Sequence, residues 1–525
     1  MFVREATGLV REISATSLLM FSIINLNWLF IFNYQYSLEP LLGGTFSACI
    51  SILMLTVIMV PTIVVFWSVG TMMPRSAGDY VFVSRTLSPL LGFVENWLAA
   101  LAMVLFAGMN CIVFETSALT PFFTYIGVIL NNAAWVNFGV AVSTQTWIAG
   151  IGTVTLLLSF LPAAFSLKTY LRIQNVCCVL AMAAVVAMIY VFASIPHAGF
   201  VSSYNAFVGQ YIGKPGDYYS NVTATAQSSG FTPPADSLWG GLLIVPVVAG
   251  PAAGWVNAQL QVGGEIRRAR SSLLFSMIVS YAALAIVETI LLVLMYNVAG
   301  YQWMASMGYL LYNNPGAIAL SALPYSTFLS MIAATPVLGA LIGLATIASL
   351  FIFMPNAYIW VSRCLFAYSF DRVLPSWFAN VSEKTHGPLN ATVTAVIIAG
   401  AFFIILEIPQ SSTYAYLFAS VVTLLIAIFI CIVSIAMMLL PKLKPQIYER
   451  SPTRGAVLYA SSAVTLIGWL IIAYLLLSNS IYGANTPIAI GVVVGLVVIL
   501  CIIFGVAKLK RGPDFSLAFK ELPPE

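Results

Sequence analysis

Val247-Val248-Ala249-Gly250-Pro251-Ala252-Ala253-Gly254-Trp255 interrupts an apolar segment of about residues 238–262 that is long enough to cross a membrane as a helix. Pro251 removes a backbone donor, and Gly250 and Gly254 weaken the helix on both sides of it. Within hydrocarbon the freed backbone groups need partners, so such a break persists only inside the protein or along a water-filled cavity. Transporters use broken helices to present dipoles and bare backbone groups to a solute at mid-membrane. A proline kink without a ligand is the alternative.

The composition is that of a protein that crosses the membrane many times. Of 525 residues, 61% are hydrophobic and 7% are charged, and the mean hydropathy is +0.99. Soluble domains carry about 25% charged residues. The seven cysteines lie in or next to apolar segments, and His197 and His386 lie far apart in predicted loops. The sequence therefore predicts no disulfide framework, no metal site and no cofactor.

Twelve apolar segments are long enough to be transmembrane helices, since each crossing needs roughly 20 apolar residues. They lie at about 14–35, 46–70, 91–125, 146–166, 170–195, 238–262, 271–298, 327–362, 390–407, 412–440, 455–477 and 486–507. With the N-terminus in the cytoplasm, every one of the 21 lysines and arginines except Lys214 falls on the inner side. The positive-inside rule thus predicts a multi-pass protein of the cell membrane with both termini in the cytoplasm.

The first span contains a second anomaly, Phe21-Ser22-Ile23-Ile24-Asn25-Leu26-Asn27-Trp28. Asn25 and Asn27 are two residues apart and cannot share one helical face. Either one of them faces lipid, or the helix is locally opened. Spans 1 and 6 each begin a block of five spans (1–5 and 6–10), and these blocks enter the membrane from opposite sides because five is odd. Irregular helices at corresponding places in two inverted blocks are typical of a transporter's binding site.

Five motifs in one consistent order point to a known family. They are Pro74-Arg75-Ser76-Ala77-Gly78-Asp79-Tyr80, Arg172-Ile173-Gln174-Asn175, Gly264-Glu265-Ile266-Arg267-Arg268-Ala269-Arg270, Ser362-Arg363-Cys364-Leu365-Phe366-Ala367-Tyr368 and His386-Gly387-Pro388-Leu389-Asn390-Ala391. They resemble the loop after helix 2, the start of helix 5, the loops after helices 6 and 8, and the entry to helix 9 in amino acid permeases. These permeases belong to the amino acid–polyamine–organocation (APC) superfamily.

The resemblance covers about residues 10–440 and implies the leucine-transporter fold: an all-α integral membrane protein of 12 transmembrane helices. Two inverted five-helix repeats, about 14–195 and 238–440, would form a core within residues 1–440. Residues 441–525 would add two helices and a cytoplasmic tail.

The chain also departs from the family pattern. The helix 1 Gly-Ser-Gly stretch that holds the substrate carboxylate in the family falls near Trp28-Leu29-Phe30, which leaves open whether helix 1 binds a carboxylate. The helix 5 lysine of some proton-coupled members is Ala181, and the glutamate after the helix 6 Gly-aromatic pair is Val256.

The predicted substrate site combines the two broken spans with span 3. Its residues are Ile24, Asn25, Leu26, Asn27, Asn110, Gly250, Pro251, Ala252, Ala253, Gly254 and Trp255. Trp255 resembles the aromatic residue that closes over the substrate in the family, and ordinary packing is the alternative for its ring.

Ionisable groups at membrane depth are candidates for ion coupling. Glu115 and Glu288 are the predicted proton carriers, unless they are neutral acids bonded to a neighbouring helix. Thr346 and Ser349 share a face of span 8, and such hydroxyls hold sodium in sodium-coupled relatives; a bond back to the preceding turn is the alternative. Glu95, near the inner end of span 3, is interpreted as a structural partner of inner arginines.

We therefore expect a secondary active transporter that moves amino acids or related amines by alternating access. A proton or sodium gradient would drive it, with protons favoured. Its partners would be a small-molecule solute, the coupling ion and the lipid bilayer, and no nucleic acid. The sequence contains no nucleotide-binding loop that would indicate an ATP-driven pump, and no paired nucleophile and base that would indicate an enzyme. A non-transporting solute sensor, and a transporter or exchanger of polyamines or other organic cations, are the alternatives.

Overall fold

The computed structural model of the chain is 84% helical and has no β-strand among its described residues, which confirms the predicted all-α membrane class. It describes residues 11–318, 326–407 and 412–512, together with Phe515 and Phe519. The predicted tail otherwise lies outside the described residues. The division into two inverted repeats and two additional helices stays a prediction.

Eleven helices are long and apolar enough to cross a membrane, and a bent helix pair raises the count to twelve within the described ranges. The spans are Ala15–Asn25 with Trp28–Leu38 (span 1), Thr45–Met72 (2), Pro89–Phe114 continuing through Glu115–Leu119 to Thr120–Ile129 (3), Gln145–Ala164 (4), Leu167–Ser194 (5), Leu238–Ala249 with Ala253–Asn257 and Ala258–Gln261 (6), Ala269–Met295 continuing into Tyr296–Gly300 (7), Pro336–Phe370 (8), Leu389–Glu407 (9), Ser412–Leu443 (10), Gly455–Ser478 (11) and Pro487–Arg511 (12).

Shorter helices connect the spans. They are Glu39–Leu41, Gly78–Thr86, Ala133–Val142, His197–Ile212, Tyr218–Ser228, Gly263–Glu265, Tyr301–Asn313, Pro315–Ala317, Ser326–Ala333, Ser376–Ala379, Pro445–Tyr448 and Ser480–Tyr482. Span 8 differs from its predicted range of 327–362. Its first seven predicted residues belong to the separate helix Ser326–Ala333, and the span begins at Pro336, where a proline needs no amide partner at the first helical position.

Spans 3 and 10 lie at the centre of the bundle. Their apolar windows are 83% and 78% buried within the protein, whereas that of span 12 is 17% buried. Span 3 packs against spans 8, 9 and 10, and span 1 packs against spans 5, 7 and 8. The two interrupted spans therefore pack within the bundle interior, where freed backbone groups have protein neighbours.

Both predicted interruptions are present. Span 1 ends its first half at Asn25 and begins its second at Trp28, and Asn27 adopts a left-handed backbone with φ of 46°. Asn25 and Asn27 are both buried, so the helix is opened and neither side chain faces lipid. Span 6 bends by 44° between Ala249 and Ala253.

Candidate solute-binding site

A hydrogen-bonded chain joins the two interrupted spans to span 7. Gln259 Nε2, in the second half of span 6, donates to Ser22 Oγ of span 1 at 2.5 Å. Ser22 Oγ lies 2.7 Å from Ser280 Oγ of span 7. All three side chains are buried, so this chain fixes the relative positions of the three spans next to the breaks.

Amide groups near the breaks are buried with hydrogen-bonding capacity to spare. Neither side-chain atom of Asn27 or Asn257 has a hydrogen-bond partner among the described residues. The side-chain oxygens of Asn25, Gln259 and Asn356 also lack a hydrogen-bond partner within the part of the chain that the structure describes. A buried amide without partners costs free energy, so natural proteins rarely retain one without a reason. These groups could hydrogen-bond a polar solute.

Aromatic rings from four spans pack together beside these amides. The Trp255 ring lies 5.9 Å from Phe106 and 5.5 Å from Trp360, between centroids. Phe106 in turn contacts Phe30 at 4.9 Å and Phe353 at 5.2 Å. Three of these four contacts are edge-to-face, and the rings form an apolar wall that would suit the uncharged part of a solute or a cationic group.

Trp255 also stabilises the break in its own span. Its indole Nε1 donates to the Pro251 carbonyl at 3.2 Å, so it satisfies a backbone acceptor at the turn. Pro251, Ala252 and Ala253 are buried in this turn. Trp255 thus makes the packing contacts that the sequence left as the alternative, and its predicted role in closing over a solute remains a prediction.

The two glycines of span 6 face span 10. A Cβ atom at Gly250 would overlap the Thr423 side chain, and one at Gly254 would lie 2.8 Å from Ile426 Cγ2. Both positions need glycine because span 10 approaches the backbone closely. A larger residue at either position would disturb helix packing, whether or not a solute binds nearby.

The remaining predicted substrate residues are buried in spans 1 and 3. Ile24 and Leu26 are buried beside the two asparagines of span 1. Asn110 Nδ2 donates to the Leu350 carbonyl at 2.7 Å and so ties span 3 to span 8. Its side-chain oxygen makes no hydrogen bond within the described ranges.

One of the two predicted sodium ligands makes a local hydrogen bond. Thr346 Oγ1 donates to the Ile342 carbonyl at 2.8 Å, which is the bond to the preceding turn that the sequence left as the alternative. Ser349 is buried one turn further along span 8. The Phe21 carbonyl of span 1 already accepts amide hydrogens from Asn25 at 2.8 Å and Asn356 at 3.5 Å.

The predicted proton carriers lie apart from each other. Glu115 begins the π-helical turn Glu115–Leu119 and contacts span 4, where a Cβ at Gly152 would lie 2.7 Å from its Oε1. Glu288 is buried in span 7.

A network of buried polar side chains closes one face of the bundle, which we call the basic face. The network consists of Asp79, Asn96, Gln261 and Tyr368. Asp79 accepts hydrogen bonds from Asn96 at 2.9 Å and from Gln261 at 3.0 and 3.1 Å. Asn96 Oδ1 accepts from Tyr368 Oη at 2.5 Å. The network thus joins the loop after span 2 to spans 3, 6 and 8.

Two bidentate ion pairs reinforce this closure. Arg85 binds Asp371 at 2.5 and 2.6 Å, and Arg363 binds Glu265 at 3.0 and 3.1 Å. The interpretation of Glu95 as an arginine partner is wrong. Arg85 and Arg363 bind other acids, and no described arginine forms an ion pair with the buried Glu95 carboxylate.

Asn257, Gln259, Asn356 and Glu39 were not singled out from the sequence. A signal for the first two exists: Asn257, Gln259 and Gln261 repeat every second residue in span 6, as Asn25 and Asn27 do in span 1. Polar residues at this spacing cannot share a helical face, so they mark an opened helix. Asn356 has no such signal, because its partner is far away in sequence.

Comparison with known proteins agrees with this arrangement. A search of curated proteins found no match to the chain. A protein-family model described as amino acid permease matches residues 13–507, which include all twelve spans except the last residues of span 12. The chain belongs to the amino acid permease family of the APC superfamily, and it is a multi-pass membrane transporter.

Proposed function

We propose that this permease is a secondary active transporter that moves amino acids or related amines by alternating access, with protons as the favoured coupling ion. The solute would lie between the breaks of spans 1 and 6, in the arrangement of the leucine-transporter fold. The observation that carries the proposal is the set of buried amides beside both breaks that lack hydrogen-bond partners among the described residues.

The chemistry of the site supports a small polar solute. Amide groups both donate and accept hydrogen bonds, so they suit ammonium and carboxylate groups alike. The aromatic wall around Trp255 would hold an apolar side chain or a cationic head. Because span 1 lacks the glycines that hold a carboxylate in the family, the asparagines of span 1 would replace backbone amides as donors.

Protons are favoured because one helix 1 carbonyl that a sodium ion would need is engaged, whereas acidic side chains lie at membrane depth. Sodium binding requires several free oxygen ligands. The Phe21 carbonyl accepts two amide donors, although the Thr346 hydroxyl, which donates to its own helix, keeps its oxygen lone pairs. Acidic residues at membrane depth can load and unload a proton without any other ligand.

Removing either unpartnered amide is expected to weaken solute binding without destabilising the protein. Asn27→Gly keeps the left-handed backbone, which glycine adopts freely, and Asn257→Ala removes a buried group without a described partner. Affinity should fall about tenfold or more, since a lost hydrogen bond to a charged solute group is worth roughly 1.5–3 kcal/mol. Thermal shifts of purified protein against amino acids and amines, with and without sodium and across pH, measure this loss.

The exposed Asn485 provides the control, because Asn485→Ala should leave the ligand-induced shift unchanged. Wild-type shifts in both site variants would refute the site. Solute-dependent flux in liposomes then separates a transporter from a sensor, which would bind solute without flux. Polyamines in the same screen separate the organic-cation alternative from amino acids.

We also propose that the basic face is cytoplasmic and that the protein resides in the cell membrane, as the positive-inside rule predicts. A membrane-impermeant thiol reagent applied to intact cells should label Gln227→Cys, which is exposed on the opposite face. Glu449→Cys, exposed on the basic face, should react only after the cells are permeabilised. The reverse labelling pattern would invert the orientation.

A further inference from the structure

The segment after span 12 folds back along that span. Span 12 ends at Arg511, and Gly512 caps it with a positive φ of 63°, which glycine adopts freely. In a continuous helix Phe504 and Phe519 would be separated by roughly 22 Å. Their ring centroids lie 6.4 Å apart, so the chain reverses its direction after Gly512.

Two phenylalanines anchor the folded-back segment. Phe515 and Phe519 are 4% and 7% exposed, and their ring centroids lie 5.3 Å apart. Phe504 of span 12 contacts Phe515 at 5.2 Å and also contacts Phe93 of span 3 at 5.8 Å. Burial of apolar rings is favourable, and a segment that is tethered to span 12 docks without the entropy cost of binding a separate molecule. The two rings therefore hold the segment against the bundle.

Phe519 covers one of the two ion pairs that close the basic face. Its ring centroid lies 5.2 Å from the Arg85 guanidinium carbon, and the Tyr80 ring centroid lies 5.8 Å from the same atom. Arg85 and its partner Asp371 are both buried. A cation–π contact and an ion pair are each stronger where water is excluded. The ring of Phe519 therefore strengthens the pair between Arg85 and Asp371, because it keeps water away from the guanidinium.

The covered ion pair joins two parts of the bundle. Arg85 belongs to the helix Gly78–Thr86 in the loop after span 2, whereas Asp371 follows directly after span 8. Separating these two elements breaks the pair. Water that reaches the pair weakens it, so departure of the Phe519 ring lowers the free-energy cost of opening this side of the basic face.

We propose that the segment after Gly512 is a latch, in which Phe515 and Phe519 dock on the basic face beside Arg85 and hold that face closed. The face opens when the two rings leave. The inference concerns control of the conformational change, and its consequence for transport rests on the proposed function.

Hydrogen–deuterium exchange of the purified protein in lipid tests the latch without any solute. The reporter is the helix Gly78–Thr86, whose residues are all buried. Phe515→Ala combined with Phe519→Ala should raise its exchange rate by about tenfold or more, because two apolar anchors are lost. Leu509→Ala is the matched control and should change nothing, since Leu509 is 84% exposed near the end of span 12.

The rise in exchange should be confined to the basic face. The helix Tyr218–Ser228, on the opposite face, should exchange in the double variant at the wild-type rate. Unchanged exchange in the helix Gly78–Thr86 would overturn the proposal, because the two rings would then not hold the face closed. A rise of equal size in both helices would also overturn it, because the variant would then be destabilised as a whole.

Solute exchange connects the latch to transport. In proteoliposomes with a radiolabelled mixture of protein amino acids, the double variant should exchange internal for external solute faster than wild type, because opening of the basic face is less restrained. A rate no faster than that of wild type would overturn the role of the latch in transport. Absence of exchange in wild type would instead refute the proposed transport function, and deuterium exchange would still decide whether the latch closes the face.

Discussion

Replacing Arg363 by methionine is expected to destabilise the protein by about 3–5 kcal/mol, the usual cost of removing one partner of a buried ion pair. Arg363 is 3% exposed and Glu265 is 1% exposed, so the remaining carboxylate would stay away from water. Glu265 also holds the segment before span 1, because its backbone carbonyl accepts hydrogen bonds from the amides of Glu12 and Ile13, each at 3.0 Å. Unfolding of detergent-solubilised protein by heat or denaturant measures the change.

A double variant that also removes the charge of Glu265 tests whether the unpaired carboxylate causes the loss. Arg363→Met combined with Glu265→Leu should recover most of the lost stability, since no buried charge is then left alone. The exposed neighbour Arg267 is the matched control, and Arg267→Met should change stability by no more than about 0.5 kcal/mol. If the single and double variants lose the same amount, the pair is not the source of the effect.

The single variant Arg363→Met should also open the basic face. Cys364 is buried directly after Arg363, with its Sγ 3.3 Å from the Gln261 side-chain oxygen. When the ion pair is removed, water and thiol reagents should reach this sulfur at a higher rate. Mass mapping of modified cysteines in the unaltered cysteine background identifies the site. An unchanged rate at Cys364 would show that this ion pair does not control access from the basic face.

The interrupted helices were predictable because their causes are local. Pro251 between two glycines breaks a helix wherever it lies, and asparagines at Asn25 and Asn27 cannot both avoid lipid on an intact helix. The count of twelve spans follows from apolar segment length alone. These features depend only on neighbouring residues, so the sequence contains all the necessary information.

Partners from distant segments were not predictable in the same way. The tight approach of span 10 to Gly250 depends on Thr423, more than 100 residues away along the chain. Ser22 of span 1 lies 2.7 Å from Ser280 of span 7, although the two are 258 residues apart in the chain. The sequence pairs Glu95 with arginines because all of them lie near the inner side of the membrane. In the structure, however, Arg85 binds Asp371 and Arg363 binds Glu265. Such contacts require the tertiary arrangement.

Asp79 is expected to make the stability of the protein depend on pH near 6. Burial raises the pKa of Asp79 to about 6, although hydrogen bonds from the Tyr80 backbone and from Gln261 and Asn96 oppose the rise. Between its ordinary value of 3.8 and about 6, the native protein holds a proton that the unfolded chain has released. The contribution of neutral Asp79 is therefore complete below about 3.8 and is lost as the pH rises through about 6. Its size is about 3 kcal/mol, at roughly 1.4 kcal/mol for each pKa unit.

Unfolding of wild type and Asp79→Asn across this pH window tests the expectation. The difference in stability between the two should change by about 3 kcal/mol, because asparagine cannot titrate. Gln261→Leu removes a hydrogen bond that lowers the pKa of Asp79, so the window should move to higher pH. Exposed Glu383→Gln is the control, and parallel curves for wild type and Asp79→Asn would contradict the assignment.

The titration of Asp79 has a consequence for the closed basic face. The carboxylate accepts hydrogen bonds from Gln261 of span 6 at both oxygens and from Asn96 of span 3 at Oδ1, so a proton on Oδ2 removes the second bond from Gln261 while Oδ1 still accepts. Acidification therefore stabilises the fold through Asp79 while it weakens the link between the loop after span 2 and the end of span 6. We expect Cys364, which contacts Gln261, to react faster with thiol reagents below about pH 6 relative to its thiolate fraction, and Asp79→Asn to remove that pH dependence.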